Sequence, residues 1–136
     1  MRKLFTMLLV VSLLSMLGCS PLENRARDTA AALSGSIIAA QTQYQASCTT
    51  NPKQQICDLI NHGVSGENAL ITAVETYCGW SPTLDPSAPK AGPLGAPTLA
   101  PPDPTAKCVP VKSAQAALQA AIANAAALTL QIKGAI

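Results

Sequence analysis

A few side chains in this 136-residue sequence are of types that could carry chemistry. They are one imidazole, His62; two acids eight residues apart, Glu67 and Glu75; a thiol beside glycine and tryptophan in Cys78-Gly79-Trp80; and further cysteines at Cys48, Cys57 and Cys108. Each points to a different reaction type, and each lacks a partner in the sequence. A general base needs a nucleophile or metal within hydrogen-bond reach, and nothing near His62 supplies one. Beside Gly63, His62 instead fits the last turn of a helix, where a cation or donor complements the terminal carbonyls. Glu67 and Glu75 fall near one face of a helix and read as solvated acids rather than the paired carboxylates of glycoside hydrolysis. No basic residue adjoins Cys78 to stabilise a thiolate. Phosphate-binding loops, GxSxG and HExxH are absent from the sequence. The expectation is a chain with no catalytic residue, no cofactor and no metal site, and an enzyme is the weakest of three function classes.

The N-terminus carries an address. Arg2 and Lys3 precede an apolar run, Leu4 to Leu17, broken only by Thr6, Ser12 and Ser15 and followed by the small residue Gly18. A charged segment, an apolar segment and a small-residue cleavage site make an export signal over residues 1–18. The run is shorter than the roughly 20 apolar residues of a spanning helix. Met16-Leu17-Gly18-Cys19 resembles the lipobox of bacterial prolipoproteins, with Gly18 and Cys19 as in that class. Met16 and Leu17 stand where the class has Leu and a small residue. The resemblance covers the signal segment alone. It implies cleavage before Cys19 and palmitate-type acyl chains on the Cys19 sulfur, so that Cys19 becomes the lipid attachment site and the membrane the partner. Ser20 rather than Asp after the cysteine implies, for the class, sorting to a Gram-negative outer membrane facing the periplasm. An ordinary secreted chain with Cys19 as a plain thiol is the alternative.

Beyond residue 18, seven basic side chains balance seven acidic ones, so the basic character of the whole chain belongs to the signal. Displacing counterions from nucleic-acid phosphates requires a net basic face, and none is supplied. The mature length suits one domain. Its apolar content is mostly alanine, with Tyr44, Tyr77 and Trp80 as the only aromatics. Large side chains dominate core energetics, so such a core is thin and needs other support. With Cys19 assigned to lipid, Cys48, Cys57, Cys78 and Cys108 form an even set suited to two disulfides in an oxidising compartment. Three connectivities are possible. Cys48 to Cys57 and Cys78 to Cys108 are favoured, because each pair brackets a turn-rich segment between helices. Zinc is disfavoured by the lack of C-x2-C spacing.

These residues need elements to position them. Ser20-Pro21-Leu22-Glu23 has the form of a capping box with proline at the first helical position. Leu22, Ala26, Thr29, Leu33, Ile37, Ala40 and Tyr44 then recur at helical spacing, predicting a helix over 21–47. Asn51-Pro52-Lys53-Gln54 predicts a second start, with Asn51 as N-cap and Gly63 as an αL stop, giving a helix over 52–62 with Ile56, Leu59 and Ile60 inward. Ser65-Gly66-Glu67 opens a third, over 66–78, with Leu70, Ala73, Val74 and Tyr77 on one side. Residues 81–110 hold nine of the eleven prolines and predict an irregular, polyproline-like segment. Pro86-x-x-Pro89 and Pro101-x-x-Pro104 match SH3-type spacing, yet a loop stapled by Cys78 and Cys108 is the simpler reading. Val111, Ala114, Leu118, Ile122, Ala125, Leu128 and Ile132 predict a last helix over 111–133, rich in the best helix former. That helix is expected to pack on the first rather than span a bilayer, since it lacks interfacial aromatics and carries amides.

The fold expected is all-α: a small disulfide-stapled helical bundle or hairpin with a Pro-rich irregular segment, its first and last helices roughly antiparallel. Its organisation is a signal at 1–18, a lipid-anchored helical region at 19–80, a Pro-rich loop at 81–110 and an Ala-rich helix at 111–136. The leading function class is a lipid-anchored envelope protein acting as a non-catalytic structural or interaction module. The second is membrane-active, since a small proline-rich lipoprotein loosely resembles the outer-membrane subunits of phage spanins and plasmid exclusion or lysis lipoproteins.

Overall fold

The computed structural model describes residues 22–81, 99–101, 103 and 105–136. The signal segment, Cys19, the Ser20-Pro21 cap and the Pro86 motif lie outside the described residues. Three helices carry the fold: α1, Leu22–Thr50; α2, Gln55–Cys78; and α3, Gln115–Ala135, entered through a 3-10 turn at Lys112–Ala114. No strand occurs among the described residues. The all-α, doubly cross-linked bundle expected from the sequence is what the chain forms.

The apolar stripes of α1 and α3 are the buried faces. Ala26, Leu33, Ile37 and Ala40 of α1 meet Leu118, Ile122, Ala125 and Ile132 of α3 in one core. Two residues that the stripes did not include, Ser36 and Thr129, are also buried. Both donate their hydroxyls to carbonyls four residues back, Ala32 and Ala125, which lets a polar side chain sit in a core without an orphaned proton. None of the described helices is long and apolar enough to cross a membrane.

The two short helices expected over 52–62 and 66–78 are one continuous helix, and Gly63 does not stop it. Gly63 is buried at a three-helix crossing: a Cβ there would lie 2.8 Å from Ile132 Cδ1 and 3.1 Å from Ile37 Cγ1. One turn on, a Cβ at Gly66 would collide with Leu128 Cδ1. Glycine at these two positions lets α3 approach the α2 backbone. The stop comes at Gly79, the one described residue with positive φ, at 72°. There the Trp80 and Gly79 amides donate to the Glu75 and Thr76 carbonyls, the paired bonds of a Schellman ending. The start also differs from expectation. Gln54, not Asn51, is the cap residue, and 51–54 form a turn in which the Gln54 amide donates to the Asn51 carbonyl. Reversing the chain between α1 and α2 takes up those residues, and it brings the Cys48 and Cys57 Cα atoms to 5.7 Å.

Fusing two helices removes one chain reversal. Tyr44, near the end of α1, points its hydroxyl at the carbonyl of Ala135, at the end of α3, across 3.4 Å. Ile37 and Ile132 meet over the same Gly63. α1 and α3 therefore run parallel rather than antiparallel, with α2 antiparallel to both. α2 packs against each of the others, and they against one another.

Candidate functional site

Both favoured cysteine pairings are present, Cys48 with Cys57 and Cys78 with Cys108. The second ties the returning chain to the end of α2, and a ladder of contacts extends the tie. The Val109 and Val111 amides donate to the Cys78 and Tyr77 carbonyls, and the Trp80 indole donates to the Lys107 carbonyl at 3.1 Å. Arg27 of α1 stacks its guanidinium 5.0 Å from the Trp80 ring centre and donates to the Asp103 carbonyl at 2.9 Å. The Asp103 carboxylate accepts from both the hydroxyl and the amide of Thr105, which, with Arg27 nearby, hold it below the ordinary carboxylate range. Further along, the Leu99 amide donates to the Asn68 side chain, ten residues before the end of α2. The described residues between 99 and 111 thus form a strap laid back along the bundle.

Glu23, Cys78 and Cys108 place three potential metal-binding atoms within 4.8 Å of one another. The two sulfurs are bonded to each other, however, and offer no thiolate. The 4.0 Å approach of Cys78 Sγ to Glu23 Oε2 is a contact rather than a hydrogen bond, since a disulfide sulfur has no proton.

His62 lies in the middle of α2 rather than in a last turn, a consequence of the helix running through Gly63. It is exposed, with Nδ1 2.7 Å from the Asp58 carbonyl one turn back, so Nδ1 carries the proton there. It borders a groove of about 890 Å³ between α2 and α3, walled by Ile56, Leu59, Leu128 and Leu130. It belongs to no cluster of three or more metal-ligating side chains among the described residues.

The acids of α2 depart most from expectation. Glu67 and Glu75, read as solvated, are 5 % and 3 % exposed. α2 is central, flanked by two helices and crossed by the strap, so a face that local periodicity assigns to water is covered. Ser34 of α1 donates to the Glu67 carboxyl, while Glu67 Oε2 is buried without a hydrogen-bond partner. Burial pushes the Glu67 carboxyl above the usual carboxylate range, the Ser34 hydrogen bond opposing it less strongly. Glu67 lines a cleft of about 370 Å³ between α1, α2 and the strap, walled by Ala30, Ala31, Ile71 and Pro101, with Ser34 and Arg27 as its other polar groups. An apolar hollow with a few convergent polar groups is the usual form of a ligand site. The one sequence signal for it was an acid four residues before Ile71 on a helix otherwise rich in buried positions.

No protein-family model, curated protein or solved structure matches the chain.

Proposed function

We propose that this protein is a non-catalytic structural or interaction module of the bacterial cell envelope, anchored through acyl chains on Cys19 at the periplasmic face of the outer membrane. The reading is carried by the cysteine count. Cys48, Cys57, Cys78 and Cys108 pair among themselves, and the fifth cysteine is the one that closes the Met16-Leu17-Gly18-Cys19 sequence. Two structural disulfides fit an oxidising compartment, which agrees with the export signal. Two acyl chains suffice for stable anchoring, because each buried CH₂ contributes about 0.8 kcal/mol where a single chain binds only marginally. Intact mass spectrometry of the membrane fraction tests this directly. A mature N-terminus at Cys19 bearing acyl mass, released by Cys19→Ser, is expected; an unacylated N-terminus, or Cys19 bridged to another cysteine, would overturn the anchor.

A further inference from the structure

We propose that the cleft between α1, α2 and the strap is a binding site for a small primary amine, held as its ammonium on the carboxylate of Glu67. The bundle does not need an acid there. Neighbouring core positions are filled by Leu70, Ile71 and Val74, and helix contact on that stretch of α2 is made through Gly63 and Gly66. A buried polar atom ordinarily finds a partner, and leaving one without a partner is destabilising because its lost hydration is not replaced. Glu67 Oε2 nevertheless has none, although its side chain is 95 % buried and held by Ser34. The remaining walls, Ala30, Ala31, Ile71 and Pro101, are apolar and small, fitting a short aliphatic body.

The polarity of the ligand follows from the charges present. A carboxylate ligand would bring a second anion beside Glu67 in a desolvated hollow. A neutral alcohol could donate one hydrogen bond but would leave the Glu67 charge uncompensated. An ammonium supplies both proton and charge. Arg27, the other charged group of the cleft, is turned to the Asp103 carbonyl and the Trp80 ring.

The test uses the full mature chain in detergent micelles, with amide chemical shifts followed as n-butylammonium, n-butanol or n-butyrate is added, and with micelles alone as the partitioning control. n-Butylammonium is expected to bind and to shift residues 30, 31, 34, 67 and 71 selectively. Glu67→Gln, which keeps the shape and an acceptor for Ser34, is expected to weaken that binding at least tenfold, about 1.4 kcal/mol. Should Glu67→Gln fail to fold, Ala31→Leu supplies an independent test: it fills the cleft from an exposed position, leaves the acid in place and is expected to abolish binding. Equal binding of the three probes, no binding of the amine, or undiminished binding to either folded variant would each overturn the proposal. None of these outcomes depends on whether Cys19 carries lipid.

Discussion

The two ends of the bundle are closed in different ways. At one end α1 turns into α2 through four residues, Cys48 and Cys57 are joined across that turn, and just inside it three helices press together over Gly63. At the other end the chain leaves α2 at Gly79, and Cys108, thirty positions after Cys78 in the sequence, returns it to that cysteine. The first end is held by local connection and close packing, with the disulfide as reinforcement. The second is held by the crosslink and by the polar ladder around Trp80 and Arg27. The difference shows that a covalent tie matters in proportion to the chain entropy it removes, and least where sequence neighbours already meet.

Removing the ties one at a time should break the molecule unequally. In the chain-entropy picture, the longer ring contributes about 3.7 kcal/mol and the shorter about 2.7 kcal/mol. Cys78→Ala with Cys108→Ala should therefore lower the denaturation midpoint more than Cys48→Ala with Cys57→Ala, as read by urea melts of each double variant. The gap should widen further because the first end keeps its turn. A larger loss from the 48–57 pair would show that the strap is held chiefly by its noncovalent ladder.

The tightly packed end can be probed without touching sulfur. Gly63→Ala puts a methyl group against Ile132 and Ile37, both fully buried, and overpacking of this sort typically costs about 1–3 kcal/mol. Gly35→Ala in α1 meets nothing within 4 Å and should instead gain up to about 1 kcal/mol from helix propensity. Opposite signs for the two substitutions in thermal melts would confirm that glycine serves helix approach at one site and nothing at the other.

The smallest effect concerns the strapped side. Glu67 binds its proton more tightly folded than unfolded, so the native state holds more protons over the interval between the ordinary carboxyl value and the raised one. Stability contributed by this group is present below that interval and falls as pH rises through it. Arg27 from α1 shares the cleft. Glu67→Gln should flatten the pH dependence of the melting temperature above the ordinary carboxyl range and leave the neutral-pH value at or above that of the parent. A melting temperature that rises across the same range in the parent chain would contradict the burial argument.

The parts of the fold set by neighbours in sequence were readable, and those set by neighbours in space were not. Leu33, Ile37, Leu118, Ile122 and Ile132 announce their buried faces by spacing alone, and the cysteine pairing follows from which segments turn. Gly63 misleads because a glycine after a helical stretch has two meanings, a left-handed stop or a close crossing, and only the Ile37 and Ile132 side chains decide between them. The same error reversed the direction of α3, since one helix too many means one turn too many. The burial of Glu67 depends on the strap at 99–111 lying over α2, a contact between segments some thirty residues apart that periodicity within α2 cannot express.

Trp80 is the sole tryptophan of the chain, and it sits where the strap, α1 and the end of α2 converge. Its indole is bonded to the strap through Lys107 and faced by the Arg27 guanidinium, whereas the glycine crossing and the Cys48–Cys57 turn contain no second indole. The intrinsic ultraviolet emission of the protein is therefore a local instrument. Excited at wavelengths that tyrosine does not absorb, it records the detachment of the strap from α2, and it stays nearly silent about fraying at the opposite end of the bundle.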